Sequence, residues 1–312
     1  MRVLVTGGSG FVGKALVKTL KDGANLAVRT SSRRASHDIY KLEEEVFIAD
    51  LSTETDWSDA LLDVQVVVHT AARVHVINRK NLDQLKEFRI VNVEGTANLA
   101  RQAAAARVRR FIFLSSIKVN GDMTELGAPF KVIDTPAPED PYGISKMEAE
   151  QVLRDISKET GMELVIIRPP LVYGPNAKGN FASMMKWLKR GIPLPFGSIN
   201  NKRSFVGLDN LCDLISRCID HPSATGKTFM VSDDEDLSTT DLLKRSAFAM
   251  GINPRLVNIP QILIEYGAYF FGKADLAQRL CGSLQVDISN TKEILNWKPP
   301  ISVDEGLNRA VS

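Results

Sequence analysis

Cysteine and histidine are scarce in this chain, which has three cysteines and four histidines among 312 residues. Three cysteines cannot all pair with one another, and the spacing of Cys212, Cys218 and Cys281 matches no zinc-binding pattern. We therefore expect reduced cysteines in the core, with neither a disulfide framework nor a metal site.

The chain also lacks an excess of charge and a long apolar run. Its 39 Lys and Arg residues nearly balance 37 Asp and Glu residues, so no overall field would attract nucleic acid. The apolar segment QILIEYGAYFFG contains Glu265 and is followed by Lys273 and Asp275, which predicts a buried or interface helix and no membrane span. The first glycine follows directly on a short strand, which leaves no room for a secretory signal and predicts a cytoplasmic protein.

Short β-branched runs alternate with helix-like segments from the first residues onward. The alternation predicts an α/β fold, a Rossmann-type doubly wound parallel sheet with helices on both faces. After residue 168 proline and glycine become more frequent, so we place an NAD(P)-binding domain at 1–168. A smaller C-terminal α/β substrate lobe follows at 169–312, and some elements can cross between the two. The strand candidates are RVLVT, NLAVRT, VFIAD, VQVVVHTA, RFIFLSS, ELVIIRP and KTFMVSD, and the helix candidates are 81–108, one opening at Pro141, 181–190, 208–220 and 239–250.

A glycine-rich turn joins the first strand to the first helix in VLVTGGSGFVGKALVKTL. Gly7 allows the tight turn, Gly10 lets the backbone approach a pyrophosphate, and Gly13 lets the helix lie close to the strand. The helix N-terminus supplies free amides and a positive dipole. The segment therefore predicts a dinucleotide site.

The end of the second strand bears on the choice between NAD and NADP. NAD sites place an acid about twenty residues beyond the glycines, whereas NADP sites offer arginine to the 2′-phosphate. Here Arg29 stands at the expected place of the acid, and Arg33 and Arg34 follow it. NADP(H) is favoured and NAD(H) is possible; a solvated basic loop is the alternative interpretation.

Tyr142 precedes Lys146 by one helical turn in EDPYGISKMEAE. Asp140 is a candidate N-cap and Pro141 a candidate first helical residue, so the two side chains share one helix face. A nearby ammonium group favours the phenolate, so we expect the pKa of Tyr142 to be lowered. A tyrosine–lysine pair at this spacing also arises by chance, so the pair decides nothing by itself.

Several short motifs occur together along the chain: TGGSGFVG, ADL at 49–51, HTAA at 69–72, VNVEGT at 91–96, FLSS at 113–116 and YGISK at 142–146. In this order and spacing they resemble the extended short-chain dehydrogenase/reductases, in their nucleotide-sugar epimerase and dehydratase branch. The segments RPPLVYGP, RSFVGLDNL and LNWKP extend the resemblance over nearly the whole chain. The resemblance implies that Ser116 hydrogen-bonds the reacting sugar oxygen, with Ser115 the weaker candidate. It implies that Tyr142 moves the proton and that Lys146 binds the nicotinamide ribose.

The resemblance also implies cofactor and substrate contacts. Asn92 matches a supporting position, and His75 either contacts substrate or lines the cleft. The implied substrate residues are Arg73, Ser116, Asn180 and Arg203, the latter two contacting the diphosphate. The implied cofactor residues are Gly7, Gly10, Phe11, Val12, Gly13, Arg29, Arg33, Asp50, Leu51, Ala71, Ala72, Tyr142, Lys146 and Pro169.

Two departures from the family pattern shape the functional expectation. Pro169, Pro170 and Leu171 stand where many 4-epimerases carry two aromatics and an asparagine, and Arg29 replaces the acid expected of tightly held NAD. The chain is most similar to reductases that convert a UDP-4-keto-6-deoxy-N-acetylhexosamine to its 4-hydroxy sugar for surface polysaccharide. The alternatives are a UDP-glucose or UDP-N-acetylglucosamine 4-epimerase and a catalytically silent NADP-binding sensor. The resemblance implies a homodimer formed through 81–108 and the helix opening at Pro141.

Overall fold

The computed structural model describes the backbone of residues 1–23, 26–32, 45–48, 50–74, 81–177, 179–272 and 274–311, and within these ranges the side chains of 47, 81–83, 180 and 274–276 are outside the description. The strands are β1 Arg2–Thr6, β2 Ala27–Ser32, β3 Glu45–Phe47, β4 Val66–His69, β5 Arg110–Leu114, β6 Glu163–Arg168, β7 Leu171–Tyr173, β8 Arg203–Gly207, β9 Thr228–Met230 and β10 Asp236–Leu237.

Helices separate most of these strands. They are α1 Phe11–Gly23, α2 Ser58–Leu61, α3 Asn81–Phe88, α4 Thr96–Ala105, α5 Pro141–Thr160, α6 Gly179–Lys189, α7 Leu208–Asp220, α8 Thr239–Ala249, α9 Gln261–Phe270, α10 Ala274–Cys281, α11 Ser289–Leu295 and α12 Val303–Val311. A π-helical turn, Arg89–Gly95, joins α3 to α4, so the predicted helix over 81–108 is observed with a wider turn in its middle.

The large sheet has the order β3-β2-β1-β4-β5-β6-β9, with every pair of neighbours parallel. This arrangement confirms the predicted Rossmann-type sheet. Side chains alternate between its two faces, because Val3 and Val5 pack in one apolar cluster with α1 and α7, whereas Leu4 packs in the other with α4 and α5. Burial on both faces explains why β1, β4, β5 and β6 are largely apolar.

The second half of the chain contributes to both sheets. Strand β9 extends the large sheet beside β6, so an element beyond residue 168 belongs to the sheet of the predicted dinucleotide-binding domain. The small sheet has the order β10-β8-β7, in which β7 and β8 are parallel and β10 is antiparallel. A third apolar cluster, which includes Phe181, Leu243 and Leu307, fills the smaller lobe. The division at residue 168 stays a prediction.

Two predictions about apolar residues have different outcomes. Cys212, Cys218 and Cys281 are buried and free, as expected. None of the residues of α9 is buried within the chain, so the expectation of a buried helix is wrong, and the alternative of an interface helix stays a prediction. No helix in the described ranges is long and apolar enough to cross a bilayer.

Candidate active site

The glycine turn after β1 is held against the end of β2. The amides of Gly7 and Gly8 donate to the Ser31 carbonyl at 3.1 and 3.2 Å, and the Gly10 amide donates to the Gly7 carbonyl at 2.8 Å. Gly7 has φ +72°, and a Cβ on Gly13 would lie 2.2 Å from the Gly7 oxygen. Only glycine therefore fits at these two positions.

The turn opens into a pocket at the carboxyl ends of β1, β2 and β4. Amides in the first turn of α1 have no acceptor within the helix, and the dipole there favours an anion. The site thus fits the diphosphate of a dinucleotide. The predicted residues that line the pocket are Gly7, Gly10, Asp50, Leu51, Ala71, Ala72 and Arg73.

Sequence reasoning missed Ser31 and Ser32, which also line this pocket. They stand at the end of β2, where Thr6 of β1 pairs with Ser31. The position at which NAD sites carry an acidic residue therefore corresponds to these serines and not to Arg29, which lies two residues before Ser31. The sequence could have indicated Ser31 and Ser32 only if the end of β2 had been predicted correctly.

Arg29 requires a correction, because the structure places it away from the pocket. It is buried, and its Nη1 donates to the carbonyls of Asp59, Ala60 and Leu62 at 2.7–3.1 Å. These carbonyls belong to the end of α2, where unpaired oxygens and the helix dipole favour a cation. The guanidinium therefore stabilises a helix end. Arg33 and Arg34 lie outside the described residues.

The predicted catalytic helix, α5, begins as expected. The Asp140 carboxylate accepts from the Gly143 amide at 2.6 Å, and Pro141 is the first helical residue. Asn92, on the π-helical turn, donates to Ser145 Oγ at 3.1 Å, and Ser145 Oγ donates to the Tyr142 carbonyl at 2.8 Å. Asn92 thereby supports the turn of α5 that carries Tyr142.

A lysine that sequence reasoning did not single out joins the serine turn to α5. Ser116 caps the short turn after β5 by accepting from the Lys118 amide at 3.2 Å. Lys118 Nζ lies 2.6 Å from Asp140 Oδ2 and 2.8 Å from Asp122 Oδ1. A Cβ on Gly143 would lie 2.7 Å from the Lys118 carbonyl. Lys118 and Gly143 therefore hold the Ser116 turn against the start of the helix that carries Tyr142.

The two serines of FLSS have different environments. Ser115 is buried, and its hydroxyl donates to Glu150 at 2.6 Å. Glu150 also pairs with buried Arg168 at 2.6 Å, and Arg168 donates to Asn120 at 2.9 Å. Ser116 is more exposed than Ser115, so it is the serine available to a substrate. The buried pair joins β6 to α5 behind it.

Lys146 is buried at 1% exposure, and its Nζ lies 4.0 Å from the centroid of the Phe113 ring. Burial lowers the pKa of Lys146 to about 7, and the charge of Glu150 only partly opposes this. The His69 ring stacks on Phe113 with the centroids 5.9 Å apart, and its two nitrogens hydrogen-bond the hydroxyls of Thr6 and Thr96 at 2.7 and 2.9 Å. Burial, with a contribution from Lys146, lowers the pKa of His69 to about 3, so His69 is a neutral structural residue.

Tyr142 differs from the expectation in its electrostatics. Its ring packs edge-on against Phe88, with the centroids 5.9 Å apart. Burial, and then the charge of Asp140, raise the pKa of Tyr142. The predicted lowering of the Tyr142 pKa is therefore wrong for the protein alone, because burial and the Asp140 charge both disfavour the phenolate.

The expected substrate residues lie in several environments. Arg73 lines the pocket and pairs with Glu87. Arg203 begins β8 and donates to the Gly282 carbonyl at 2.8 Å, and burial lowers its pKa to about 10. Pro169 accepts from the Ile117 amide at 2.9 Å, which ties the end of β6 to the serine turn. His75 and the side chain of Asn180 are outside the described residues.

Comparison with known proteins identifies the family of the chain. The model of the NAD dependent epimerase/dehydratase family matches residues 3–232. A UDP-glucose 4-epimerase of Vibrio cholerae is 48% identical over 309 residues, covering 98% of this chain and 93% of that protein.

Two solved structures share the fold over the whole chain. UDP-glucuronic acid 4-epimerase of Bacillus cereus in complex with NAD has a TM-score of 0.79 at 22% identity and is covered to 97%. RMD of Pseudomonas aeruginosa complexed with NADPH has a TM-score of 0.75 at 22% identity and is covered to 98%. The fold thus occurs with either nicotinamide cofactor. From the match over most of its length, the chain belongs to the NAD dependent epimerase/dehydratase family, within the extended short-chain dehydrogenase/reductases.

Proposed function

We propose that this enzyme is a UDP-hexose 4-epimerase that uses a nicotinamide cofactor. The observation that carries the proposal is the 48% identity to the Vibrio cholerae UDP-glucose 4-epimerase along almost the full length of both chains. The identity favours the epimerase, which the sequence analysis held as an alternative, over the 4-reductase.

The proposed chemistry assigns one task to each catalytic residue. A nicotinamide bound in the pocket would supply the acceptor and the donor of the hydride at carbon 4 of the sugar. Tyr142 takes the proton of the 4-hydroxyl and returns it to the same oxygen after the keto sugar has turned its other face to the nicotinamide site. Ser116 donates a hydrogen bond to that oxygen, and Lys146 holds the nicotinamide ribose. Arg203 is proposed to pair with the diphosphate while the sugar turns, since a guanidinium matches phosphate oxygens.

We propose NAD as the cofactor. An epimerase recycles its cofactor and benefits from holding it through the cycle, and Arg29 contacts helix carbonyls instead of the pocket. The lining at the end of β2 consists of Ser31 and Ser32, which carry no charge for a 2′-phosphate. NADP remains the alternative through Arg33 and Arg34.

The 4-reductase is the second candidate, because Pro169, Pro170 and Leu171 replace the aromatic pair and asparagine of many 4-epimerases. It would reduce a UDP-4-keto-6-deoxy-N-acetylhexosamine and consume one reduced cofactor per sugar. A homodimer formed through α3, α4 and α5 is proposed for either activity.

One pair of assays separates the two candidates. With NAD and UDP-glucose or UDP-N-acetylglucosamine, an epimerase forms the 4-epimer with no net change at the absorbance of the reduced cofactor. With the 4-keto sugar and NADPH, a reductase oxidises cofactor in a one-to-one ratio with sugar. Stoichiometric NADPH oxidation without any epimer would overturn the epimerase proposal.

Tyr142→Phe tests the assignment of the proton carrier in whichever assay is active. Turnover is expected to fall by roughly a hundredfold to ten-thousandfold while cofactor affinity changes little. Tyr266→Phe is the matched control, because Tyr266 is exposed on α9. Near-normal turnover of the Tyr142 variant would mean that another group carries the proton.

A further inference from the structure

Helix α9 and the residue that follows it present an unusual apolar surface. Of the five exposed aromatic side chains in the described part of the chain, four lie within residues 266–271. Phe270 is 84% exposed and Tyr269 is 77% exposed. Soluble proteins rarely expose a contiguous patch of this kind without a binding role. The aromatic patch consists of Ile262, Leu263, Tyr266, Tyr269, Phe270 and Phe271.

The helix beneath the aromatic patch is attached to the smaller lobe. Ile264, on the opposite side of α9, packs against the apolar cluster of the lobe that contains Leu280 and Cys281. Gln261 Nε2 donates to the Cys281 carbonyl at 3.3 Å. Helix α9 is therefore positioned by its inner side, and its outer side projects the aromatic patch.

Cations lie at the end of α6 and on the segment that precedes α9. The Leu194 amide donates to the Arg255 carbonyl, and the Val257 amide donates to the Leu194 carbonyl, each at 2.8 Å. This pairing brings the end of α6 beside the segment that leads into α9. The basic rim consists of Lys186, Lys189, Arg190 and Arg255, which are exposed, and no ion pair is formed by any of them with a described residue.

The charge of these two segments differs from that of the whole chain. Residues 164–208 contain seven Lys and Arg residues and no Asp or Glu, and residues 242–274 contain four cations and one anion, Glu265. Two of these eleven cations are neutralised by acids outside the segments, because Arg168 pairs with Glu150 and Arg245 pairs with Glu235. The whole chain is nearly balanced, at 39 cations against 37 anions. The partner that fits the patch and the rim therefore has a negatively charged surface over an apolar interior.

We propose that the aromatic patch and the basic rim dock this enzyme on the surface of a bilayer that contains anionic phospholipid. Tyrosine and phenylalanine side chains insert at the level of the headgroups, and Lys and Arg contact the lipid phosphates. With ten residues, α9 lies in the plane of the surface and does not span it. A second copy of the chain fits less well, because a symmetric contact through the patch would bring two basic rims together.

Sedimentation of the full chain with vesicles tests the proposal. The protein is incubated with vesicles of phosphatidylcholine alone and of phosphatidylcholine with about one third phosphatidylglycerol, and the bound fraction is measured. Binding to the anionic vesicles is expected to be at least about tenfold tighter and to weaken with salt.

Two variants and a control separate the contributions of the patch and the rim. The triple variant Tyr269→Ser, Phe270→Ser, Phe271→Ser and the double variant Lys189→Glu, Arg190→Glu are each expected to weaken vesicle binding by at least about tenfold. Ile133→Ser is the control, because Ile133 is 89% exposed on a different segment and should leave binding unchanged. Turnover of a soluble UDP-sugar should be unchanged in all three.

Three results would overturn the proposal. They are failure of the wild type to bind anionic vesicles, equal binding by the patch variants, and a change in the oligomeric state of the patch variants by light scattering. The last result would identify the patch as a contact between copies. Vesicle binding requires no turnover, so failure of the epimerase assay would leave this test intact.

Discussion

The buried ammonium group of Lys146 should make the protein less stable than it would be with an uncharged side chain at this position. Burial lowers the pKa of Lys146 from 10.5 to about 7. Each pKa unit corresponds to about 1.4 kcal/mol. Lys146→Met is therefore expected to raise the free energy of unfolding by on the order of 4 kcal/mol at pH 6, and Met can retain the contact with the Phe113 ring.

The pH dependence of this effect has a defined sign. Between about pH 7 and 10.5 the unfolded chain binds a proton at Lys146 that the folded chain does not, so the stability of the wild type rises with pH in this window. Below pH 7 both states are protonated and the full penalty remains. The advantage of the Met variant should thus fall to on the order of 1 kcal/mol at pH 9.5.

Urea unfolding of both proteins without added nucleotide, at pH 6 and pH 9.5, measures the difference. Lys158→Met removes an exposed lysine from the last turn of the same helix, and it should change stability by less than about 1 kcal/mol at either pH. The reasoning is refuted if the Lys146 variant is no more stable than the wild type at pH 6, or if its advantage does not depend on pH. Turnover should be lost in the Lys146 variant, because the same group is proposed to hold the ribose.

Three further substitutions test the site and its supports. Gly13→Ala should destabilise the fold by about 1–3 kcal/mol and weaken cofactor binding, because its Cβ would lie 2.2 Å from a carbonyl oxygen. Gly23→Ala in the same helix is the control, since nothing lies within 4 Å of its Cβ. Thermal melts and cofactor titrations should show both losses for the Gly13 variant and neither for the Gly23 variant. Arg29→Met should lower the free energy of unfolding by about 1–3 kcal/mol and leave the ratio of NADPH to NADH affinity unchanged in titrations. A reversed cofactor preference in this variant would show instead that Arg29 contacts the 2′-phosphate, as predicted from the sequence. Lys118→Met should lower kcat by about tenfold with little change in cofactor affinity, and Lys118→Arg should restore it. Lys292→Met is the control, because it also breaks a lysine–aspartate pair, and it should not affect kcat. An equal loss of kcat in Lys118→Met and Lys292→Met would show that Lys118 has no positioning role.

Local signals account for the parts of the fold that were predicted well. Helix α7 was expected over residues 208–220 and is observed as Leu208–Asp220. The start of α5 was expected from Asp140 and Pro141, and both have the predicted capping roles. Helical periodicity and caps depend on neighbours within one or two turns of chain, so the sequence contains them directly. The short strands β7, β8 and β10 were not predicted as a sheet, because their pairing joins distant segments.

The residue types at the candidate site were also predictable, but their partners were not. Gly7 and Gly13 could be assigned from the turn, since a left-handed φ and a close approach exclude side chains. The role of Arg29 depends on α2, about 30 residues further along the chain, whose carbonyls it reaches. Lys118 depends in the same way on Asp140, which lies 22 residues away.

By itself, the sequence determined the order of strands and helices, the glycine turn and the presence of a serine, a tyrosine and a lysine at family positions. Only the tertiary structure decided which charges meet. It placed Arg29 on a helix end, buried Lys146 beside Phe113 and left the apolar side of α9 exposed next to a basic rim. The reason is that the pKa of a side chain and its exposure depend on atoms brought together from distant segments, and a pattern along the chain does not contain those distances.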